Sequence, residues 1–110
     1  MRKRTLAVLL AVTVAAAVAA PALAVTKITG TVGPGFTISM KKPTKAGKYT
    51  LVVSDKSSIH NFHLTGPGVN VKTSVGSTGS KTFKITLKKG KYTFVCDPHA
   101  STMHGSFTIK

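Results

Sequence analysis

Carboxylates are scarce in this chain. Its 110 residues contain two acidic residues, Asp55 and Asp97, against sixteen lysines and arginines, so the formal net charge is +14. A charge of this size biases encounters toward acidic partners or anionic surfaces. Tryptophan is absent and both arginines lie within the first four residues, so the chain lacks the arginines and clustered aromatic rings that single-strand-binding proteins use. We therefore expect no nucleic-acid partner, and we interpret the scattered lysines as a solvated surface that protects sheet edges.

Cysteine is limited to Cys96, which excludes an internal disulfide. Long apolar runs are limited to one, residues 6–20, which follows a basic start and precedes the small residues Ala22 and Ala24. This run is short for a membrane span, which needs about 20 residues, and its flanks are those of a signal peptide. We predict a signal peptide over residues 1–24, with cleavage after Ala24.

Removal of the signal peptide leaves 86 residues, 25–110, which suffice for one small domain without a transmembrane segment. We predict that this domain is exported to the periplasm or the extracellular space and that it is a monomer. A domain of this size buries about 60–65% of its unfolded surface and is marginally stable. Because no disulfide is available, a bound metal is the remaining usual source of stability.

Apolar residues in the mature region alternate with polar ones instead of recurring at the helical period. The alternation predicts strands with one buried face, and turns rich in glycine and proline separate them. About seven short strands at this spacing predict an all-β fold, either a sandwich or a barrel. The residues predicted to face the core are Phe36, Ile38, Met40, Leu51, Val53, Phe83, Ile85, Leu87, Tyr92, Phe94, Cys96, Phe107 and Ile109.

The stretch "IHNFHL", residues 59–64, carries two histidines on opposite faces of a predicted strand. Phe62 and Leu64 suit the core, so the period of two places His60 inward with them and His63 outward with Asn61. A buried histidine at the end of a core face needs a hydrogen-bond partner or a metal. His60 is therefore preferred to His63 as a metal ligand.

The stretch "VCDPHASTMHG", residues 95–105, gathers the thiol of Cys96, the imidazole of His99 and the thioether of Met103 around one loop before the last strand. His60 would reach the same place from a different strand. These ligands suit copper, since Cu(I) favours sulfur and Cu(II) accepts imidazole. Two histidines and a cysteine with a weak axial methionine are the ligands of a blue-copper electron-transfer site.

Three other interpretations use the same residues. A zinc site would take Cys96 with His60, His99 and His104 as its four ligands. A cysteine nucleophile would need an orienting carboxylate and oxyanion donors beside its histidine base, and the sequence offers neither. The third interpretation is a buried free cysteine beside surface histidines. Four metal-ligating groups at these spacings in an all-β frame favour copper over all three.

The stretches "IHNFHLTGPGV" and "GKYTFVCDPHASTMHGSFTI" resemble the cupredoxins, in particular the small plastocyanin-like and amicyanin-like blue copper proteins of bacteria. The resemblance covers essentially the whole mature chain and implies a Greek-key β-sandwich with one type 1 copper near one end. It implies the copper ligands His60, Cys96, His99 and Met103. One departure concerns Met103, because three residues separate it from His99, and His104 stands at the position where plastocyanins place the methionine.

The resemblance also implies a function, one-electron transfer between redox partner proteins, rather than an enzymatic activity. His99 would lie near the surface and conduct the electron, and Asn61 would brace the ligand loop by hydrogen bonding. Lysines would steer an acidic partner toward a small apolar patch around His99. The candidates for that patch are Gly33, Pro34, Gly35, Pro67, Pro98 and Ala100.

Two other functions stay open from the sequence. One is a copper carrier or storage protein outside the cytoplasm, and the other is a secreted cationic binding module whose metal is structural. Buried mixed ligands and the absence of methionine-rich tracts disfavour the carrier. A copper enzyme is the least expected, because oxidases and nitrite reductases need further histidine clusters and the chain has only four histidines.

Overall fold

The computed structural model describes residue 11 and residues 24–110. The predicted signal peptide lies almost wholly outside the described residues, and its cleavage stays a prediction. No helix in the described part of the chain is long and apolar enough to cross a membrane. Eight strands and one short 3₁₀ helix follow in chain order: β1 Thr26–Val32, β2 Ile38–Met40, β3 Gly47–Asp55, β4 His63–Gly66, β5 Val69–Lys72, β6 Gly79–Leu87, β7 Gly90–Val95, the 3₁₀ helix Asp97–His99 and β8 His104–Ile109.

The strands form two four-stranded sheets, ordered β2-β1-β3-β6 and β5-β4-β7-β8. β1 and β3 run parallel, and the other neighbouring pairs of the described strands are antiparallel. Alternate residues of the longer strands are buried between the sheets, as the period-two pattern predicts. The all-β sandwich expected from the sequence is therefore confirmed, with eight strands in place of about seven.

The core between the sheets is aliphatic and aromatic. Phe62 stacks on Phe94 with ring centroids 5.8 Å apart, and Tyr92 stacks on Phe107 at 5.2 Å. Burial of each large apolar side chain contributes about 1.5–3 kcal/mol, so this layer is the main source of stability. Ile38 and Phe83 pack against it only partly buried. Core positions are confirmed for Met40, Leu51, Val53, Ile85, Leu87, Tyr92, Phe94, Cys96, Phe107 and Ile109.

Two predictions about side-chain direction are wrong. Phe36 is 60% exposed, because β2 begins only at Ile38 and residue 36 belongs to the loop after β1. Asn61 is 2% exposed, although the period of two placed it on the outer face. β4 begins at His63, so strand geometry does not govern the residues before it, and the Asn61 side chain turns inward.

The two ends of the sandwich are built from different connections. The near pole consists of the connections 33–37, 56–62, 73–78 and 96–103. The far pole consists of the connections 41–46, 67–68 and 88–89, together with residues 24–25 before β1 and Lys110 after β8. Every residue predicted from the sequence as a metal ligand lies at the near pole.

Close packing of Gly66 against Tyr92 generates a stability prediction. A methyl group at Gly66 would overlap the Tyr92 ring, whereas a methyl group at Gly35 would meet nothing within 4 Å. Overpacking would displace a ring whose hydroxyl accepts the Lys88 N–H at 2.9 Å and donates to the Pro67 carbonyl at 3.0 Å. We expect Gly66→Ala to lower the free energy of unfolding by about 1–3 kcal/mol.

Denaturant unfolding of the metal-free protein measures this change. Gly35→Ala is the matched control, and we expect it to change the free energy of unfolding by less than about 0.5 kcal/mol. Equal stability of the two variants would contradict the close approach of Gly66 to Tyr92.

Candidate metal centre

Three side chains converge at the near pole. The Nδ1 atoms of His60 and His99 are 3.1 Å apart, and they lie 3.7 Å and 3.6 Å from the Sγ atom of Cys96. A metal ion could be held by three or more histidine, cysteine or acidic side chains whose ligand atoms lie close together. Among the described residues, His60, Cys96 and His99 form such a group, with their ligand atoms within 4.8 Å of one another. Strand parity predicted that His60 and Cys96 point inward, and both are fully buried.

The size of this cluster fits a transition-metal ion. A point equidistant from the two nitrogens and the sulfur lies about 2 Å from each, close to the typical metal–nitrogen and metal–sulfur distances of about 2.0–2.3 Å. The donor set, two imidazoles and one thiol, suits a metal that accepts both nitrogen and sulfur. The three residues therefore fit a single bound ion with no change in the backbone.

The loop between β7 and β8 holds two of these side chains by its own backbone hydrogen bonds. The N–H of His99 donates to the Cys96 carbonyl at 3.0 Å, which closes the 3₁₀ turn. The N–H of Met103 donates to the His99 carbonyl at 2.8 Å, and the N–H of Cys96 donates to the Met103 carbonyl at 3.0 Å. Because these bonds are local, the loop keeps Cys96 and His99 on the same side at a fixed spacing.

Met103 and His104 lie in different environments. Met103 is fully buried and belongs to the apolar core. His104 is exposed, and its Nδ1 lies 2.8 Å from the carbonyl oxygen of Ala100. The predicted zinc ligation by His104 gains no support from this placement, because the cluster contains His60, Cys96 and His99 without it.

Comparison with known proteins assigns the family. The chain matches the model of the copper-binding proteins of the plastocyanin/azurin family over residues 12–110. The chain belongs to this family. A search of curated proteins returned no match. Copper is thus the ion of the family and the ion that the His60–Cys96–His99 cluster fits.

Solved structures of cupredoxins share the fold. Reduced rusticyanin aligns with a TM-score of 0.59 at 20% identity, covering 76% of this chain and 78% of that protein. Reduced auracyanin from Roseiflexus castenholzii aligns with a TM-score of 0.58 at 21% identity, covering 79% of this chain and 98% of that protein. At these identities the likeness concerns the architecture, which is the cupredoxin sandwich.

A phenylalanine covers the cluster on its outer side. The Phe36 ring meets His60 and His99 edge-on, with centroid separations of 5.1 Å and 5.0 Å, although more than half of its surface is exposed. The sequence analysis missed this residue because its spacing from Ile38 matches a strand. The preceding Pro34-Gly35 turn was the signal that residue 36 lies outside the sheet.

The apolar patch predicted around His99 is partly confirmed. Pro34, Gly35, Pro98 and Ala100 are exposed at the near pole, whereas Gly33 is buried. Pro67 does not belong to the patch, because it lies in the β4–β5 turn at the far pole. Residues 33–35 and 66–68 are both Gly-Pro-Gly turns. They lie at opposite ends of the sandwich, so the local sequence pattern could not show which of them lies near His99.

Asn61 joins the chain segments that carry His60 and Cys96. Its side-chain oxygen accepts the N–H of Asp97 at 2.8 Å, and its amide group donates to an Asp97 carboxylate oxygen at 2.8 Å and to the Thr73 carbonyl at 3.2 Å. The backbone N–H of Asn61 donates to the Cys96 sulfur at 3.4 Å. The predicted bracing by Asn61 thus has a structural basis, and it acts on the segment beside both residues.

His63 lies outside the cluster. Its Nδ1 is 2.8 Å from a carboxylate oxygen of Asp97 and its Nε2 is 2.7 Å from the Asn70 side-chain oxygen. Partial burial raises the pKa of Asp97, but the hydrogen bonds from Asn61 and His63 and the positive charges of His63 and Lys72 outweigh it and hold that pKa below 3.8. Asp97 therefore stays ionised around neutral pH.

Removal of the Asn61 side chain should destabilise the near pole. Asn61→Ala leaves the Asp97 N–H and the buried Thr73 carbonyl without their partner, so we expect the free energy of unfolding to fall by about 1–3 kcal/mol. Asn70→Ala removes an exposed amide of the same kind and should cost less than about 0.5 kcal/mol. Denaturant unfolding of the metal-free proteins tests this, and an equal loss in both variants would show that Asn61 is not a structural tie.

Besides the hydrogen bond from Asn61, the contact with His63 should contribute to the lowered pKa of Asp97. We expect His63→Gln to raise the Asp97 pKa toward its ordinary value of 3.8, while His104→Gln leaves it unchanged. Because the folded-state pKa is lowered, the stabilisation from ionised Asp97 is complete above about pH 3.9 and is lost as pH falls through the folded-state pKa. Carbon-13 NMR titration of the metal-free protein measures the pKa, and an unaltered value in His63→Gln would contradict this origin.

Proposed function

We propose that the protein is an exported type 1 copper protein that carries single electrons between redox partners. The observation that carries the proposal is the triangle of His60 Nδ1, His99 Nδ1 and Cys96 Sγ, which is of metal-binding size and is enclosed at one pole. The proposed copper ligands are these three residues with Met103 as the weak axial ligand. Burial of Met103 supports its role as the axial ligand. The alternative axial ligand, His104, is disfavoured because its side chain is exposed.

A bound copper would supply the one-electron couple, and the protein would supply a fixed set of ligands. Backbone hydrogen bonds within residues 96–103 and the Asn61 bonds to Asp97 restrain the ligand side chains in either oxidation state. Phe36 and the apolar core exclude water from one side of each imidazole. A site that changes little in shape between oxidation states loses little energy to rearrangement when an electron moves.

Electron exchange would take place at the near pole. His99 is partly exposed, unlike His60 and Cys96, so its ring is the ligand that a partner approaches. Phe36 and Ile59 add exposed apolar surface there, at 60% and 51%. We propose that a redox partner docks on this surface by brief apolar contact, which suits the small interfaces of electron-transfer complexes.

The remaining sequence predictions support the same function. We propose that residues 1–24 are removed on export, that residues 25–110 work as a monomer outside the cytoplasm, and that the protein is not an enzyme. The two histidines outside the cluster, His63 and His104, bond to Asp97 and Ala100 and offer no second metal site. The net charge predicts an acidic partner. Electrostatic steering of that partner toward the near pole would be weak, because few lysines lie there and the nearest are Lys56 and Lys72.

Copper spectroscopy on the exported protein tests the ligand assignment. We expect Cu(II) to give intense blue absorption and reversible one-electron voltammetry. Cys96→Ser should abolish the colour, because the thiolate is its source. Met103→Leu should keep the colour and raise the reduction potential, because loss of a thioether donor disfavours Cu(II).

His104→Ala and His63→Gln are the controls, and both should keep the absorption and paramagnetic resonance spectra of the unaltered protein. Colour that survives Cys96→Ser would overturn the proposed site. A spectrum altered by His104→Ala but not by Met103→Leu would assign the axial position to His104. A coloured protein with no reversible wave would contradict electron transfer while leaving copper binding intact.

A further inference from the structure

Lysines are concentrated at the far pole, away from the metal centre. Of the thirteen lysines in residues 25–110, nine lie in the far-pole connections or one or two residues inside the strands that start there, and all nine are exposed. No aspartate or glutamate accompanies them. The nine are Lys27, Lys41, Lys42, Lys45, Lys48, Lys88, Lys89, Lys91 and Lys110.

The negative side chains lie at the other end. Asp55 is the last residue of β3 and Asp97 follows β7, so both belong to the metal-bearing half. The same half carries three lysines, Lys56, Lys72 and Lys81, which leave it close to neutral. Charge is therefore segregated along the strand direction, with one strongly positive end and one nearly neutral end.

Protection of sheet edges does not explain this arrangement. The edge strands are β2, β5, β6 and β8, and none of the nine far-pole lysines lies within them. Lys27, Lys48 and Lys91 lie on interior strands, and the other six lie in connections or after the last strand. Edge protection would place lysines along the outer strands, whereas these lysines surround one end of the sandwich.

The N-terminal segment joins the sandwich at this same pole. Ala24 and Val25 are exposed immediately before β1, and Val25 is 55% exposed. The apolar run of residues 6–20 ends only a few residues earlier in the sequence. Until its proposed removal, the predicted signal peptide is thus attached to the lysine-rich pole.

We propose that the far pole docks on the anionic lipid surface of a membrane. Basic side chains are attracted to anionic headgroups, each contributing roughly fivefold to binding, and nine lysines without a carboxylate provide this attraction from one end of the molecule. The three aromatic residues near this pole, Tyr49, Tyr92 and Phe107, are buried, so none of their rings is free to stack on a nucleic-acid base. Docking in this orientation turns the metal-bearing pole away from the membrane, where a redox partner can reach it.

This inference depends on the proposed export but not on copper, so metal-free protein can test it. The full chain is expressed with its N-terminal segment, purified as the host exports it, and mixed with vesicles of phosphatidylcholine alone or with about one-third phosphatidylglycerol. Sedimentation measures binding at about 0.1 M salt. We expect binding to the anionic vesicles only, with an affinity that falls as salt rises because the attraction is screened.

Two triple variants of equal charge locate the surface. Lys88→Gln/Lys89→Gln/Lys91→Gln should weaken binding by about 100-fold, whereas Lys56→Gln/Lys72→Gln/Lys81→Gln should weaken it less than about threefold. Far-ultraviolet circular dichroism confirms that both variants are folded.

Three outcomes would overturn the proposal. Equal binding to neutral vesicles would mean that apolar insertion, not the lysines, holds the protein. Equal weakening by the two triple variants would mean that only net charge matters. Tighter binding to soluble polyglutamate than to anionic vesicles, sensitive to the Lys88–Lys89–Lys91 variant, would assign the pole to an acidic polymer.

Discussion

The hydrogen bonds between Asn61 and Asp97 hold together the two chain segments that carry His60 and Cys96. Both bonds are 2.8 Å long, and they join the segment just before β4 to the segment just after β7, at the end of the antiparallel β4–β7 ladder. Pairing of β4 with β7 brings those segments near each other, but a slip of one residue would carry a ligand side chain to the opposite face. The Asn61–Asp97 pair fixes the register at the point where two ligand atoms must lie within 4 Å of each other.

From that constraint the arrangement of the site follows. The backbone N–H of His99 donates to the Cys96 carbonyl, which closes the turn that carries His99. Met103 is bonded to both residues, because its N–H donates to the His99 carbonyl and its carbonyl accepts the Cys96 N–H. The ligand set therefore owes its geometry to the folded chain. Such a site would suit the proposed electron transfer, since the proposed ligands have few alternative positions when the charge of the ion changes.

Much of this was accessible from the sequence. Alternation predicted the buried faces of β3, β7 and β8. It also placed Cys96 inward, because Cys96 directly follows β7, and it placed His60 inward although His60 lies in the connection before β4, where strand geometry is not the cause. The same rule failed at Phe36 and Asn61, which lie in connections where the period of two has no meaning. The exposed Phe36 ring over both histidines and the Asn61 contacts with Asp97 depend on chain segments remote in sequence, and local pattern carries no information about them. Segregation of the lysines was hidden for the same reason, since only the topology shows that residues 27, 45, 88 and 110 meet at one end.

The claim most central to this account is that the folded chain positions the copper ligands in advance. Crystal structures of the protein without metal, with Cu(II) and with Cu(I) test it directly. We expect the His60 and His99 Nδ1 atoms and the Cys96 Sγ atom to keep their mutual distances within about 0.5 Å in all three states, matching the tolerance needed for a preorganised site, with copper bound to all three. A metal-free structure in which His99 turns away from Cys96, or a copper ion bound elsewhere, would contradict it.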